Sequence, residues 1–263
     1  MLLRESLLSS PAVSVGEDDF VREAANLLPH HLETFTDSLV VVRNEKPVGL
    51  IGGSEVLEGL MKNPTADFFD NTKIGEIMSK NLVILDEKCT LGEILDLWLK
   101  TRRAFALLPN VYHGFSAISA RKILEVGMSC KSKTKLGDIP KREMLTFTKN
   151  QKIKDIIGSM QKNKTRKLVL EGTSEFISDR IIIQKIARDL NCLKNESDFL
   201  QTSAADFKLD LARRVSGDVP LEEGCKLLYG MQSPYILLPH GVVTPWDAVM
   251  ALRSKDVSIP QPV

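Results

Sequence analysis

Gly241-Val242-Val243-Thr244-Pro245-Trp246-Asp247 reads as a strand that turns directly into a helix. Two apolar residues close the strand. Thr244 is a good N-cap, Pro245 suits the first helical position, and Asp247 lies one turn in. A capped helix start offers a hydroxyl and free backbone N–H groups, which favour phosphate or ribose oxygens. A carboxylate three residues on lies near the same face and can accept ribose hydroxyl protons. The same Thr-Pro-x-Asp is also an excellent helix start with no ligand at all, so both readings stand.

Working outward, the apolar run Tyr235-Ile236-Leu237-Leu238 and the turn Pro239-His240-Gly241 precede this stretch, and the whole arrangement recurs. Short apolar runs occur at Ala12-Val13-Ser14-Val15, Leu82-Val83-Ile84-Leu85, Met144-Leu145-Thr146-Phe147 and Ala212-Arg213-Arg214-Val215. Six positions after each comes an apolar residue (Val21, Leu91, Ile153, Leu221), and two later an acid (Glu23, Glu93, Asp155, Glu223). Each acid falls in the first turn of a helical pattern, where a carboxylate complements the helix dipole. A second apolar run follows at Leu39-Val40-Val41-Val42, Phe105-Ala106-Leu107-Leu108 and Leu168-Val169-Leu170, matching the run at Tyr235. Strand-to-helix junctions then fall at Gly52, Ser119, Ser178 and Thr244, spaced by 67, 59 and 66 residues. Each unit reads strand, helix, strand, strand, helix. That period is too long for most solenoids and suits a small βαββα unit.

The repeat resembles the CBS (cystathionine-β-synthase) domain, in four consecutive copies. Lys73-Ile74-Gly75-Glu76-Ile77-Met78 and Lys135-Leu136-Gly137-Asp138-Ile139 look like the family's short lead-in, and Gly241 to Asp247 matches its nucleotide-site pattern. The resemblance implies an α+β fold of four βαββα repeats, at 1–70, 71–130, 131–195 and 196–263, paired into two Bateman modules. Repeat one would pair with two and three with four, joined by the basic linker after Cys130. Four such repeats in one chain look like the nucleotide-sensing subunit of AMP-activated protein kinase. The resemblance implies a regulatory protein, not an enzyme. It would need no cofactor and would sense an adenine nucleotide (AMP, ADP or ATP) or an S-adenosylmethionine-type ligand. Output would pass through a separate effector protein or a homodimer. The alternatives are a protein-interaction scaffold with degenerate sites and a nucleic-acid binder.

The four copies differ at the site positions. The fourth has Thr244 and Asp247, the first Gly52 and Glu55, the second Ser119 and Lys122, and the third Ser178 and Ile181. One competent site is expected, in the fourth. Around it the family would place Val242, Val215, Ser216 and Tyr235. Bases before the second strand often reach phosphate in the family, and the third copy has Arg166 and Lys167 there. The fourth has Ser233 and Pro234 instead, so Arg213 and Arg214 on its first strand are the substitutes for a bidentate phosphate grip.

Composition limits the remaining classes. The 263 residues are 43% hydrophobic with a net charge of +1, which excludes wholesale disorder and a histone-like polyelectrolyte. Residues 131–167 carry twelve bases against three acids. With Phe147 as the sole aromatic there, a solvated face is the stronger reading than a nucleic-acid surface. No apolar run approaches the roughly 18 residues of a membrane span. Met1 to Leu8 lacks a leader pattern, so a cytoplasmic protein without membrane attachment is expected. Cys89, Cys130, Cys192 and Cys225 form no C-x-x-C motif and read as reduced packing thiols. His30 and His31, in an insertion of the first copy, lack further metal ligands, and His240 is a turn residue. No hydrolase, P-loop or dinucleotide motif occurs, so no catalytic or metal site is assigned.

Overall fold

The computed structural model describes residues 10–30, 38–86, 88–112, 114–140, 142–193 and 198–259. The stretch at Met1–Leu8 and most of the His30–His31 insertion lie outside them. Unit one is β1 (Ser14–Gly16), α1 (Val21–Leu27), β2 (Ser38–Arg43), β3 (Lys46–Gly52) and α2 (Gly53–Lys62). Unit two has α3 (Leu91–Thr101), β4 (Phe105–Asn110), β5 (Gly114–Ser119) and α4 (Ala120–Gly127). Unit three is β6 (Thr146–Phe147), α5 (Ile153–Lys162), β7 (Lys167–Leu170), β8 (Glu175–Ser178) and α6 (Asp179–Arg188). After the short strand β9 (Asp210–Leu211), unit four is β10 (Arg213–Arg214), α7 (Leu221–Gly230), β11 (Ile236–Leu238), β12 (Gly241–Val243) and α8 (Pro245–Ala251).

The four junction residues Gly52, Ser119, Ser178 and Thr244 are the N-caps of α2, α4, α6 and α8. The four recurring acids lie in the first turns of α1, α3, α5 and α7. In units one, three and four the first strand runs parallel to the second and the third antiparallel to it. Unit two departs from the predicted strand at Leu82–Leu85. Its run keeps one parallel bridge, Ile84 to Leu107, flanked by hydrogen bonds of 2.9 and 2.7 Å. Ile84 is half exposed, whereas Leu82 packs against the core between the two sheets and Leu85 is buried. The predicted runs at Met144–Phe147 and Ala212–Val215 likewise shorten, to β6 and β10.

Alternating side chains of the central strands enter two different cores, because successive residues point to opposite faces. In unit one, Leu39, Val41 and Ile51 face the helices, while Val40 and Leu50 meet Phe105, Leu107 and Ala117 of unit two. In the second pair, Leu168, Leu170 and Ile177 face helices, while Val169 and Phe176 meet Tyr235, Leu237 and Val242. Burial on both faces explains why these strands read as unbroken apolar runs.

Each pair is laced by crossing segments. Ser79, just ahead of unit two, exchanges two hydrogen bonds with Leu50 of β3 (2.8 and 2.9 Å), and Ala12 donates to Phe115 of β5 (2.9 Å). In the second pair β9 joins the edge of β8, and Arg142 bridges to Val242 of β12. The pairs then stack through helices. The helical core of unit one merges with that of unit three, and that of unit two with that of unit four. Two arginines missed at the sequence level pin this stacking. Arg121 at the start of α4 donates to the Tyr229, Met231 and Gln232 carbonyls at the end of α7. Arg180 at the start of α6 donates to the Pro29 carbonyl beyond α1 (2.9 Å). A cation at a helix C-terminus meets both the dipole and orphan carbonyls.

Candidate functional site

The unit-four junction forms because β12 ends at Val243, where Pro245 cannot continue the ladder but fits the first helical turn. Asp247 sits one turn in and is almost buried. Its Oδ2 accepts the Thr244 backbone N–H (2.9 Å) and the Thr244 hydroxyl (2.6 Å). Its Oδ1 meets the Arg142 guanidinium at 3.4 Å, longer than the roughly 2.8 Å of a strong charge-assisted bond. Arg142 precedes unit three, and its carbonyl accepts the Val242 N–H (3.3 Å). Tyr235 lies beside Thr244, since the next residue, Ile236, pairs with Val243. Burial pushes the Tyr235 hydroxyl up to about 12; the Arg142 and Asp247 charges both act on it, in opposite directions.

The structure thus gathers Thr244, Asp247, Val242 and Tyr235 around Arg142. Val242 and Tyr235 belong to the small apolar core between the sheets. Val215, just past β10, donates its N–H to the Leu237 carbonyl in β11 (3.1 Å). Ser216 is exposed, and its hydroxyl accepts the Asp218 N–H in the turn before α7 (3.2 Å). Of the three predicted phosphate arginines, Arg214 and Arg166 engage other partners. Arg214 donates to Ser174 (2.5 Å) and the Thr173 carbonyl (2.6 Å) in the unit-three hairpin. Arg213 is exposed. Arg166 donates to Asp179 at the start of α6 (2.6 Å). Lys167 donates to the Pro234 carbonyl (2.6 Å) and covers the Tyr235 ring at 5.1 Å. Arg142 carried one usable sequence signal. It follows the lead-in Leu136–Asp138 much as Ser79 follows the lead-in Ile74–Ile77.

The other three junctions are chemically different. In unit one, Glu55 accepts from the Gly52 N–H (2.8 Å), the Ser54 hydroxyl (3.1 Å) and both terminal nitrogens of Arg103 (2.8 and 3.3 Å). Burial works against the Glu55 charge, but the Arg103 charge and the hydrogen bonds prevail and hold the carboxyl below its usual range. In unit two, Ser119 accepts the Lys122 N–H (3.3 Å), and the Lys122 ammonium pairs with Glu125 (2.8 Å). In unit three, Ser178 accepts the Ile181 N–H (3.3 Å). A surface depression of about 620 Å3 in unit two includes none of the junction residues in its lining, which has Leu85, Asp86, Cys89, Glu93, Asp96 and Leu97. Among the described residues no group of three or more His, Cys, Asp and Glu could hold a metal, and no helix is long and apolar enough to cross a membrane.

Residues 4–62 match the family model of the CBS domain. Unit one therefore carries a CBS domain. The family match falls on unit one; units three and four repeat its element order, and unit two repeats it with the first strand reduced to one bridge. Among solved structures, the chain is similar to protein MJ1225 of Methanocaldococcus jannaschii, described as a candidate archaeal homolog of g-AMPK. The TM-score is 0.79 at 18% identity, over 95% of this chain and 99% of that one. It is also similar to an uncharacterized conserved protein of Pyrococcus horikoshii, with a TM-score of 0.55 at 13% identity, over 94% and 98% of the two chains. These likenesses establish the tandem CBS-pair fold. Among curated proteins, none matches the sequence.

Proposed function

We propose that the protein is a regulatory binding protein, not a catalyst, whose unit-four CBS junction takes an adenosyl ligand and whose second pair signals occupancy to a partner. The observation that carries this reading is the Thr244–Asp247 arrangement. One carboxylate oxygen is spent on orienting the acid, while the other makes a loose contact with the half-exposed Arg142 guanidinium at 3.4 Å. A carboxylate so held can accept a ribose hydroxyl without rebuilding the helix start. Tyr235 and Val242 supply an apolar wall. The likeness in fold to a protein described as a candidate g-AMPK homolog supports a nucleotide as the adenosyl ligand. Calorimetric titration with AMP, ADP, ATP and S-adenosylmethionine tests the reading. Binding by at least one, lost in Asp247→Asn, is the expected result. No binding by any at millimolar concentration overturns it.

A scaffold role has its own support in the first pair, where Arg103 donates to both oxygens of the Glu55 carboxylate. The two readings divide the molecule between them, the acid of the first pair held by a bidentate arginine and that of the second by a looser contact. The basic stretch 131–167 contributes less to a nucleic-acid reading, because Lys135, Arg142, Arg166 and Lys167 engage Asp218, Asp247, Asp179 and the Pro234 carbonyl.

A further inference from the structure

The residue facing each third strand from a crossing segment differs among the units. Ser79 pairs with Leu50, Asp210 with Phe176 and Arg142 with Val242, each two positions before the N-cap of the following helix. In unit three that residue is an acid, which accepts from the Ser233 hydroxyl (2.5 Å). In unit one it is a serine. In unit four alone among these three it is a base, placed over the site acid. The Arg142 backbone is fixed by the Val242 hydrogen bond, while its side chain remains 42% exposed beside a carboxylate that is 9% exposed. A guanidinium tethered in this way can turn about its own side-chain bonds beside Asp247 without moving β12.

The segment carrying Arg142 is laid along unit four rather than along the unit it precedes. Lys131 pairs with Ser258, and Ser132 and Thr134 donate to Asp256 (2.8 and 3.0 Å). Lys135 pairs with Asp218 (2.9 Å), and Gly137 N–H donates to the Gly217 carbonyl (2.8 Å). The link between the two CBS pairs therefore runs from the C-terminal end of unit four to its junction acid.

We propose that Arg142 is the residue by which this site selects an anionic nucleoside and reports its presence to the linker between the pairs. The proposal rests on the adenosyl reading of the unit-four junction. Ribose hydroxyls and the guanidinium compete for Oδ1 of Asp247. A ligand that carries a phosphate gives the displaced guanidinium a bidentate partner a few ångströms away. Neutral adenosine displaces Arg142 without that return, and a sulfonium places a second positive charge beside it. Adenosine phosphates are thus preferred over both, and the shift of Arg142 is passed to residues 131–140.

Titration calorimetry with AMP and adenosine, on the wild type, Arg142→Gln and Arg142→Lys, separates the cases. The wild type is expected to prefer AMP. Arg142→Gln should weaken AMP about tenfold while leaving adenosine unchanged or tighter, and Arg142→Lys should keep part of the preference. Amide hydrogen exchange across 131–140 should change with AMP in the wild type and not in Arg142→Gln. Binding of both ligands by the wild type, with an AMP-to-adenosine ratio that survives in Arg142→Gln, overturns the proposal and leaves the adenosyl site standing. Loss of the ratio with no exchange change in 131–140 overturns the report to the linker. Wild-type protein that binds neither ligand overturns the adenosyl reading itself.

Discussion

Glu55 and Asp247 stand at the same place in units one and four, three residues after the junction, and the two pairs treat them differently. Arg103 grips Glu55 through two nitrogens at 2.8 and 3.3 Å, with both side chains largely buried. Arg142 meets Asp247 through one nitrogen at 3.4 Å, with the guanidinium half in water. The bases also come from different places. Arg103 lies two residues before β4, inside the partner unit, whereas Arg142 lies on the linker between the pairs. A guanidinium fixed at the start of a buried strand is part of the core. One carried by a linker is free to exchange partners. The comparison teaches that an acid in the family's site position is not enough, because the reach and tether of the neighbouring cation decide whether the carboxylate is available.

Removing the cations should separate the two units most clearly. Arg103→Ala leaves Glu55 charged and largely buried. Breaking a buried pair costs about 3–5 kcal/mol, and partial exposure here lowers that to about 2–3 kcal/mol. Arg142→Ala breaks a half-exposed contact and should cost under about 1 kcal/mol. Urea unfolding of the two variants measures both, and equal losses would erase the distinction.

Gly53→Ala probes the packing behind Glu55 at slightly smaller cost. A Cβ there would run into the Asp179 carboxylate, which Arg166 holds in place. Overpacking of this kind costs about 1–3 kcal/mol, read as a lowered melting temperature. A neutral result would show that the α2–α6 contact gives way easily.

Asp247→Asn and Glu55→Gln should differ in binding. The first should weaken the best adenosyl ligand at least tenfold, about 1.4 kcal/mol, and the second should leave its affinity unchanged. A ligand lost equally in both would place a site in unit one as well.

Acid gives a smaller contrast. Glu55 is held below its usual 4.5, so its contribution to stability is complete above about pH 4.5 and fades as pH falls through its lowered value. The wild type and Arg103→Ala should therefore converge in stability as pH drops below 4.5. Parallel stability curves down to pH 2 would contradict the Glu55–Arg103 assignment.

The smallest effect belongs to the tail. Asp256 gathers Ser132, Thr134 and Ser254 at the surface, and these hydrogen bonds hold its carboxyl far below the usual range. Asp256→Asn should leave the melting temperature nearly unchanged and speed proteolytic nicking near 131–135. Unchanged nicking would show that the Lys131–Ser258 pairing suffices alone.

Much of the fold was legible because it depends on local patterns that recur. Cap residues at Gly52, Ser119, Ser178 and Thr244, and acids at Glu23, Glu93, Asp155 and Glu223, sit where the chain's own register puts them. The Thr244–Asp247 pair was legible for the same reason, being three residues apart on one helix. The first strands were less so. Leu82–Leu85 has the composition of a strand, yet its pairing with β4 is confined to one bridge at Ile84, and the extent of a ladder is not set by local composition.

The sequence by itself determined the repeating unit, its helix starts and the one junction where a hydroxyl and a carboxylate coincide. Those features are set within a few residues by backbone dihedrals, capping and side-chain periodicity. Only the tertiary structure decided which cation meets which acid. Arg142 reaches Asp247 across 105 positions and Arg103 reaches Glu55 across 48, while Arg214 and Arg166, nearer by position or by analogy, engage other partners. Such contacts depend on how the crossing segments lace each pair together and on where each side chain finds a partner once water is excluded. Nothing in the local chain encodes that.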